Sequence, residues 1–408
     1  MMTRILFLTP HLPYPTNRGT AIRNFGLIRG LAERGHAVAL ISFLEEDQPE
    51  PEETPLAALC DPLITLPAPR RTIRRRLLDL LAGRADMARR RWSEGFTEAL
   101  RGLLGRQTFD VIQIEGIEMA PYLESIQEHA LDAALIYDAH NAEYALQQRI
   151  AGQDLRLLRR WPQAAYSLIQ ALRLRRFEAA TCRAVDHIFA CSEADAEKLR
   201  RLPHRTPITV IPNAIRAEEY RSEAQEEVTL PRPLLVFTGK MDFRPNVDAV
   251  LWFAGEILPR IREAIPGVHF AIVGQKPHRR LDALRGRAEI TVTGFVPQIQ
   301  PYLRAADVYV APLRMGSGTR LKLLEAMAMG CAVVSTRLGA EGFPLEDGRH
   351  LLLADTPEAF AGAVIRLLEN EAQRRRLGED AARLVRERYN WPAIIPLAEA
   401  IYFRLTRP

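Results

Sequence analysis

The segment from Arg314 to Thr336, RMGSGTRLKLLEAMAMGCAVVST, holds residues suited to binding an anion. Gly316 and Gly318 form a glycine-rich turn, and the sequence after it predicts a helix that ends at Gly330. Such a turn leaves backbone N–H groups free, and together with the helix dipole these groups favour a diphosphate. Three more candidates lie in the turn and the first helical residues: Ser317, Thr319 and Lys322.

One carboxylate interrupts the apolar part of this predicted helix. Glu325 is the only charged residue between Leu323 and Thr336, and a carboxylate in such surroundings is costly unless a partner compensates it. Two adjacent ribose hydroxyls would do so, because a carboxylate accepts charge-assisted hydrogen bonds from both. We therefore predict that Glu325 contacts the ribose of a nucleotide. An internal salt bridge to Arg320 or Lys322 is the structural alternative.

Polar residues also follow several apolar runs in the first half of the chain. His140 ends the run ALIYDAH, and Glu115 ends the run DVIQIE. A histidine there could hydrogen-bond a substrate, oriented by Asp138 or Glu143, although a lone histidine is usually structural. Glu115 and Asp138 are weaker candidates for contact with a second substrate.

Short apolar runs separated by helix-length segments predict the elements that position these residues. Near-continuous apolar strands that alternate with helices are typical of a parallel sheet covered on both faces. The runs of the first half are 4–9, 37–43, 63–66, 110–115, 134–140, 187–192 and 208–213. After a polar interruption at 216–233, the runs 234–239, 269–274, 289–295, 308–313, 331–336 and 350–354 predict a second α/β sheet.

The length of 408 residues also favours two domains, because single cores stop growing well below that size. We place the first domain at 1–213 and the second at 214–389, and expect the final helix at 390–408 to pack back on the first. Ligands of open α/β sheets bind outside the carboxyl ends of the strands. The predicted architecture is therefore two Rossmann-like domains that face each other across a cleft.

Composition narrows the cellular setting. The four cysteines are far apart or in apolar runs, without the spacing of a zinc site, so we expect reduced thiols. The apolar stretch at the start of the sequence is too short for a signal peptide. No segment has the roughly 18 consecutive apolar residues of a membrane span. A cytoplasmic protein is the resulting expectation.

Arginine is concentrated in residues 70–91, where leucines are interspersed. A basic amphipathic helix of this kind suits an anionic membrane surface, and a solvated helix face is the alternative. Nucleic acid is a weaker partner, since no aromatic residues are interleaved with the arginines and no nucleic-acid module is present. We expect peripheral attachment to the inner face of the cell membrane.

The glycine turn, the helix with LLEAMAMG and the strand CAVVST together resemble the donor site of the retaining GT-B glycosyltransferases of family 4. Four other segments match the family, namely TPHLPYPTNRGTAIR, IPN, TGKMDFRPN and YNW, so the resemblance covers both domains. It is nearest to sugar transferases of bacterial exopolysaccharide systems. Ser317 stands where the family usually has a first glutamate that contacts the donor sugar. The resemblance therefore does not indicate which sugar is transferred.

The resemblance implies roles for further residues. Lys240 matches the first of two family basic residues that neutralise the diphosphate, and Arg244 substitutes for the second, whose usual position is Pro245. Fixed cations there stabilise the charge that grows on the leaving phosphate. Gly19 matches a glycine whose backbone approaches the phosphates and acceptor, with a plain helix-start turn as the alternative. His140 matches a residue that contacts the donor sugar or supports the reaction.

The resemblance thus implies a metal-independent, retaining hexosyltransferase without a cofactor. It would take a UDP- or GDP-sugar as donor and a glycan or polyprenyl-linked acceptor. A dehydrogenase would need G-x-G-x-x-G after a strand, and the chain has PHLPYPTNRG and TGKMDFRPN instead. A nucleotide-sugar epimerase of the same architecture and a non-catalytic sugar-nucleotide-binding scaffold are the alternatives.

Overall fold

The computed structural model describes residues 2–406 apart from 17, 71, 73–78, 80–81, 156–160, 221–226 and 317–318. The described chain forms two compact units. Unit 1 comprises residues 1–213 and 394–408, and unit 2 comprises residues 214–393.

Unit 1 contains a seven-stranded sheet in which every neighbouring pair is parallel. The strands are β1 (Arg4–Thr9), β2 (Ala37–Leu44), β3 (Leu63–Pro67), β4 (Val111–Glu115), β5 (Ala134–Ala139), β6 (His187–Ala190) and β7 (Ile208–Val210). Their order is β3-β2-β1-β4-β5-β6-β7. The order reverses between β1 and β4, and ligands of such sheets bind beyond the carboxyl ends of the strands at this switch point.

Helices cover both faces of this sheet, as the nearly continuous apolar strands require. They are α1 (Gly19–Glu33), α2 (Leu56–Leu59), α3 (Asp86–Arg89), α4 (Glu94–Leu104), α5 (Leu123–His129), α6 (Glu143–Leu155), α7 (Trp161–Arg183) and α8 (Glu193–Arg200), with 3-10 turns at Pro51–Glu53 and Ile117–Tyr122. Much of the basic helix predicted at 70–91 lies outside the described residues.

Unit 2 contains a six-stranded parallel sheet with the order β10-β9-β8-β11-β12-β13. The strands are β8 (Leu234–Thr238), β9 (His269–Val273), β10 (Ile290–Gly294), β11 (Val308–Ala311), β12 (Val333–Ser335) and β13 (Leu352–Leu353). The switch point lies between β8 and β11. Each strand of both units overlaps a predicted apolar run, so the α/β class with two parallel sheets is confirmed.

The remaining helices follow the strands of unit 2 and end the chain. They are α9 (Arg244–Trp252), α10 (Leu258–Ala264), α11 (Gln300–Ala305), α12 (Leu321–Ala328), α13 (Pro357–Glu369), α14 (Glu371–Arg388) and α15 (Trp391–Thr406), with a π-helical turn at Phe253–Ile257 and 3-10 turns at Ala217–Tyr220 and Arg279–Leu284. Within unit 1, α15 contacts β4 through a hydrogen bond from Tyr402 Oη to Gln113 Oε1 of 2.6 Å. None of the described helices has the length and apolar character needed to cross a bilayer.

The four cysteines, at positions 60, 182, 191 and 331, are buried free thiols. Burial raises the pKa of Cys60 and of Cys331 to about 12. Thiolates are the reactive form of cysteine, so such burial makes the side chains inert. The expectation of reduced structural cysteines is confirmed.

Gly239 and Gly274 allow the loops that follow β8 and β9 to lie in close backbone contact. Gly274 has a φ of +151°, and a Cβ there would lie 1.8 Å from the carbonyl oxygen of Gly239. Backbone cannot yield as a flexible side chain can, so we expect Gly274→Ala to lower the free energy of unfolding of unit 2 by about 2–4 kcal/mol. Urea denaturation measures the loss. Gly255→Ala, with open space around the added Cβ, is the control and should change stability little.

Candidate active site

His140 and Glu115 form the centre of the polar cluster in unit 1. Glu115 is the last residue of β4 and His140 follows β5, and the parallel register pairs Glu115 with Asp138. His140 Nε2 lies 2.9 Å from Glu115 Oε2. The Glu115 carboxylate is fully buried, whereas 10% of the His140 side chain is exposed. The imidazole is therefore the part of this pair that a bound molecule can reach.

Three side chains donate hydrogen bonds to the carboxylates beside His140. Arg23 of α1 donates two hydrogen bonds of 2.8 Å to the two oxygens of Asp138, and a third of 2.8 Å to the carbonyl of Ile211. Gln113 Nε2 donates to Glu115 Oε1 at 2.6 Å. With the Asn24 amide oriented so that its nitrogen faces Glu115, it donates to Oε2 at 2.8 Å. This network fixes both carboxylates.

The partner of His140 thus differs from our expectation. Asp138, which we expected to orient the histidine, is bound by Arg23, and Glu143 accepts a 3.0 Å hydrogen bond from Asn141. The reason is that α1 brings the guanidinium of Arg23 to Asp138. Glu115 is left as the partner of the imidazole.

Burial raises the pKa of Glu115, and the neighbouring Asp138 raises it further, whereas the hydrogen bond with His140 acts in the opposite direction. Burial also acts to lower the pKa of Arg23, but the Asp138 carboxylate outweighs it and holds that pKa above its ordinary value. The cluster therefore contains a guanidinium held in its charged form beside one carboxyl group, Glu115, that gains a proton more readily than usual.

Glu115, Asp138 and His140 are also the described residues whose ligand atoms lie close enough to hold a metal ion, within 4.8 Å of one another. Both oxygens of Asp138 are bound by Arg23, and a guanidinium at this distance repels a cation. The donor set therefore fits a metal poorly.

A pocket of about 560 Å³ opens beside His140 within unit 1. Its wall includes arginines 18, 90 and 91, and the carboxylates of Asp86 and Glu118, together with Tyr166, Gln170 and Leu174 of α7. His11 also lines it, with Nε2 2.9 Å from Thr20 Oγ1. Burial lowers the pKa of His11 to about 4, so this imidazole is neutral at pH 7. The pocket wall offers both hydrogen-bond donors and acceptors, which a polyhydroxylated ligand can use.

In unit 2, Lys322 of α12 holds both ends of the loop between β8 and α9 by hydrogen bonds. The amine Nζ donates to the carbonyl of Thr238 at 2.7 Å and to Asn246 Oδ1 at 2.8 Å. Asn246 Nδ2 in turn donates to the carbonyl of Lys240 at 2.8 Å. Burial, together with the charge of Arg320, lowers the pKa of Lys322 to about 7. Lys322 therefore supports the loop from inside the protein.

Lys240 and Arg244 lie on the surface of that loop and at the start of α9. Lys240 Nζ is 3.4 Å from Asp242 Oδ2, and both side chains are partly exposed. Arg244 is exposed as the first residue of α9. Both cations are therefore available to solvent and to a ligand at the carboxyl end of β8.

Glu325 lies in the second turn of α12 and receives a hydrogen bond of 2.9 Å from Tyr220 Oη on its Oε1. Burial raises the pKa of Glu325, while Tyr220 and Lys322 act to lower it. Lys322 donates its hydrogen bonds to Thr238 and Asn246, so the structure does not have the alternative salt bridge between Glu325 and Lys322. Tyr220 holds the carboxylate by one oxygen.

The other candidates occupy the loops before α1 and α12. Gly19 is the first residue of α1, and its turn contains no acidic residue. Gly316 has a φ of +112°, a conformation that favours glycine. Thr319 precedes α12, while Ser317 and Gly318 lie outside the described residues. The loop after β11 and the loop after β8 thus flank the switch point of unit 2.

Sequence reasoning did not find Arg23, Tyr220 or the pocket residues His11, Arg90 and Glu118. Arg23 had a detectable signal, because it lies on the mainly apolar face of α1 that also carries Leu27 and Gly30. The contact between Tyr220 and Glu325 had none, since it joins positions 105 residues apart.

Comparisons with known proteins agree with this geometry. The model of the family described as "Glycosyltransferase Family 4" matches residues 18–219, and that of "Glycosyl transferases group 1" matches residues 232–370. A phosphatidyl-myo-inositol mannosyltransferase of Mycobacterium tuberculosis is 33% identical over 207 residues, which are 47% of this chain and 53% of that protein. The chain spans about half the length of the curated relatives it matches.

Solved structures share the fold over the whole chain. Sucrose-phosphate synthase of Thermosynechococcus elongatus has a TM-score of 0.70 at 18% identity, covering 99% of both chains. Anabaena HepE in complex with UDP and glucose has a TM-score of 0.64 at 14% identity, covering 98% of this chain and 99% of that one. The GT-B fold class is confirmed, and the chain belongs to the group 1 and family 4 glycosyltransferases.

Proposed function

We propose that the protein transfers a sugar from a nucleoside diphosphate to a glycan or lipid-linked acceptor in polysaccharide or glycoconjugate synthesis. The observation that carries the proposal is the position of Glu325 in unit 2, partly buried in the second turn of α12, the helix that follows the glycine turn at Gly316. A ribose on Glu325 would put the diphosphate near that turn, where backbone N–H groups favour anions.

The cations of unit 2 fit the leaving group of this reaction. Lys240 and Arg244 would stabilise the charge that develops on the departing diphosphate, and their exposure at the carboxyl end of β8 supports that role. Lys322 would act as a positioning residue, since its amine holds the loop that carries Lys240. Gly316, Ser317, Gly318 and Thr319 would complete the phosphate-binding turn.

Unit 1 would bind the acceptor in the pocket beside His140, with Gly19 near the diphosphate. In this proposal, His140 hydrogen-bonds the transferred sugar or the acceptor hydroxyl. Glu115 fixes the imidazole, and Asp138 acts indirectly, because Arg23 takes up its oxygens. The balance of acidic and basic groups in the pocket wall supports a glycan acceptor.

We propose further that transfer retains the anomeric configuration and needs neither a metal nor a cofactor. The occupation of both Asp138 oxygens by Arg23 supports metal independence. One relative is named a mannosyltransferase, and Anabaena HepE has been solved in complexes with UDP and glucose and with UDP-glucose. UDP- or GDP-sugars are therefore the donors to examine first. A cytoplasmic protein attached to the inner face of the membrane belongs to the same proposal.

The experiment is nucleotide binding measured by thermal shift and calorimetry with EDTA present. UDP, GDP and ADP are compared in the wild type, Glu325→Ala and Tyr220→Phe. One nucleotide should raise the melting temperature by mass action. We expect Glu325→Ala to weaken its binding about 10- to 100-fold, because a charge-assisted hydrogen bond is lost.

Tyr220→Phe is the matched control, because it removes only the hydrogen bond that Glu325 receives within unit 2. It should keep the nucleotide preference and weaken binding less than Glu325→Ala. If no nucleotide binds the wild type, the transferase proposal is wrong. If the nucleotide binds but Glu325→Ala leaves its affinity unchanged, the ribose site is elsewhere. Consumption of the nucleotide sugar without an acceptor would favour the epimerase.

A further inference from the structure

The outer face of α7 carries apolar side chains exposed to solvent. Leu168, Ile169 and Leu172 are 48%, 45% and 54% exposed. Their positions, at i, i+1 and i+4, fall on one face of the helix. The opposite face is buried through Gln170, Ala171, Leu174 and Glu178. Contiguous exposed apolar residues of this kind mark an interaction surface more often than scattered ones do.

Arginines extend the same face toward the C-terminus of the helix. Arg175 and Arg176 follow Leu172 at i+3 and i+4, and both are exposed. Among the described residues, neither guanidinium takes part in an ion pair that would neutralise it. An apolar stripe joined to unneutralised cations is the pattern of a helix that lies in the interface of an anionic bilayer.

The buried side of α7 connects this face to the pocket. Tyr166, Gln170 and Leu174 line the pocket beside His140. Gln170 Oε1 accepts a 2.8 Å hydrogen bond from the backbone N–H of Asp86, and Arg173 donates to the carbonyl of Arg84. One helix thus presents its outer side to solvent and its inner side to the pocket wall.

We propose that the face formed by Leu168, Ile169, Leu172, Arg175 and Arg176 docks on an anionic phospholipid surface. The apolar side chains insert among the lipid tails and the two guanidinium groups contact the phosphate headgroups. The acceptor would then be a lipid-linked molecule whose polar head reaches the pocket along α7. This last step rests on the proposed function, whereas the docking itself does not.

Vesicle flotation tests the docking directly. The full chain is mixed with phosphatidylglycerol vesicles or phosphatidylcholine vesicles, at low and high salt. We expect binding to phosphatidylglycerol that high salt weakens, because anionic headgroups attract the arginines. Leu168→Ser/Leu172→Ser should reduce the bound fraction about tenfold at either salt concentration, and Arg175→Gln/Arg176→Gln about tenfold at low salt.

Leu131→Ser/Leu397→Ser is the matched control, since Leu131 and Leu397 are 85% and 46% exposed elsewhere in unit 1. It should bind vesicles as the wild type does. The substituted side chains are exposed, so an unchanged melting temperature checks that each variant folds. The proposal is overturned if the wild type does not float, if the control loses as much binding, or if the face instead mediates dimerisation that Leu168→Ser/Leu172→Ser abolishes.

Nucleotide binding on the same samples separates this proposal from the proposed function. Vesicle binding that disappears in the α7 variants while UDP or GDP affinity persists supports the docking face. Nucleotide binding without any vesicle binding overturns the docking face and leaves the transferase proposal intact. Vesicle binding without nucleotide binding supports the docking face and contradicts the transferase proposal.

Discussion

Replacing Arg23 with methionine should lower the free energy of unfolding of unit 1 by about 3–5 kcal/mol, because it leaves the Asp138 carboxylate buried without its counter-charge. The side chains of Arg23 and Asp138 are 1% and 0% exposed. Asp138 would lose two hydrogen bonds of 2.8 Å, and the carbonyl of Ile211 would lose one. Urea denaturation, with hydrogen exchange of the β4 and β5 amides, measures the effect in unit 1.

Two further variants show whether the buried charge is the cause. Arg29 also lies on α1, and its ion pair with Glu33 is partly exposed at 2.9 Å. Arg29→Met should therefore cost about 0.5 kcal/mol or less. Arg23→Met/Asp138→Leu removes both charges and should be more stable than Arg23→Met alone, because no lone carboxylate remains. Equal losses in Arg23→Met and Arg29→Met would contradict this explanation.

The parallel sheets could be predicted because their strands are buried on both faces. A run such as VYVAPL is apolar throughout, which is how a central parallel strand differs from the alternating pattern of a half-exposed one. The boundaries moved by a few residues. The run 331–336 gives only Val333–Ser335 as strand, because hydrogen bonding to β11 covers only those three residues.

The sequence predicts those residues of the candidate site that lie at the ends of strands. Glu115 and His140 each end an apolar run, and parallel strands place such ends at one edge of the sheet. Which carboxylate the histidine contacts depends on Arg23, whose side chain comes from a helix. Helix side chains reach partners set by packing, so neither Arg23 with Asp138 nor Tyr220 with Glu325 follows from spacing along the chain.

Lys322, which we predict to contact the donor, has hydrogen-bond partners that the sequence does not indicate. The sequence places it six residues after Gly316 in a turn suited to anions. Its amine donates to the carbonyl of Thr238, the last residue of β8, and to the side chain of Asn246 in α9. Only the tertiary structure brings the acceptor atoms of Thr238 and Asn246 close to this residue of α12.

Replacing His140 with alanine should lower kcat about 10²- to 10⁴-fold, the range that a positioned hydrogen-bonding or proton-transferring side chain contributes. The affinity for UDP or GDP should change about twofold at most, since the ribose candidate Glu325 belongs to unit 2 and a lost contact in unit 1 leaves it unaltered. The measurement is release of nucleoside diphosphate from UDP-glucose or GDP-mannose, whichever nucleotide binds. His187→Ala is the control, because His187 is a buried histidine of unit 1 that bonds Thr209 at 2.8 Å.

The pH dependence of the same reaction tests the role of Glu115. Its ionised carboxylate accepts the hydrogen bond that orients His140, and burial with the neighbouring Asp138 raises its pKa. The pH–activity profile should therefore have a rising part, and this rise should lie above pH 4, the ordinary pKa of a carboxyl group being about 4. Glu115→Gln has no carboxyl group to titrate, so it should lower kcat and flatten that rise.

Stability should change in the opposite direction along the same pH axis. A carboxyl group whose folded pKa is raised stabilises the fold fully below its unfolded pKa, and that contribution is lost as the pH rises through the folded pKa. Ionisation of Glu115 thus brings activity and costs stability, as expected for a buried group retained for a reaction. A wild type whose activity rises while its stability falls over one pH range, with the rise in activity flattened and the fall in stability reduced in Glu115→Gln, would assign the effect to this carboxylate. A rise in activity that persists in Glu115→Gln would assign it to another group.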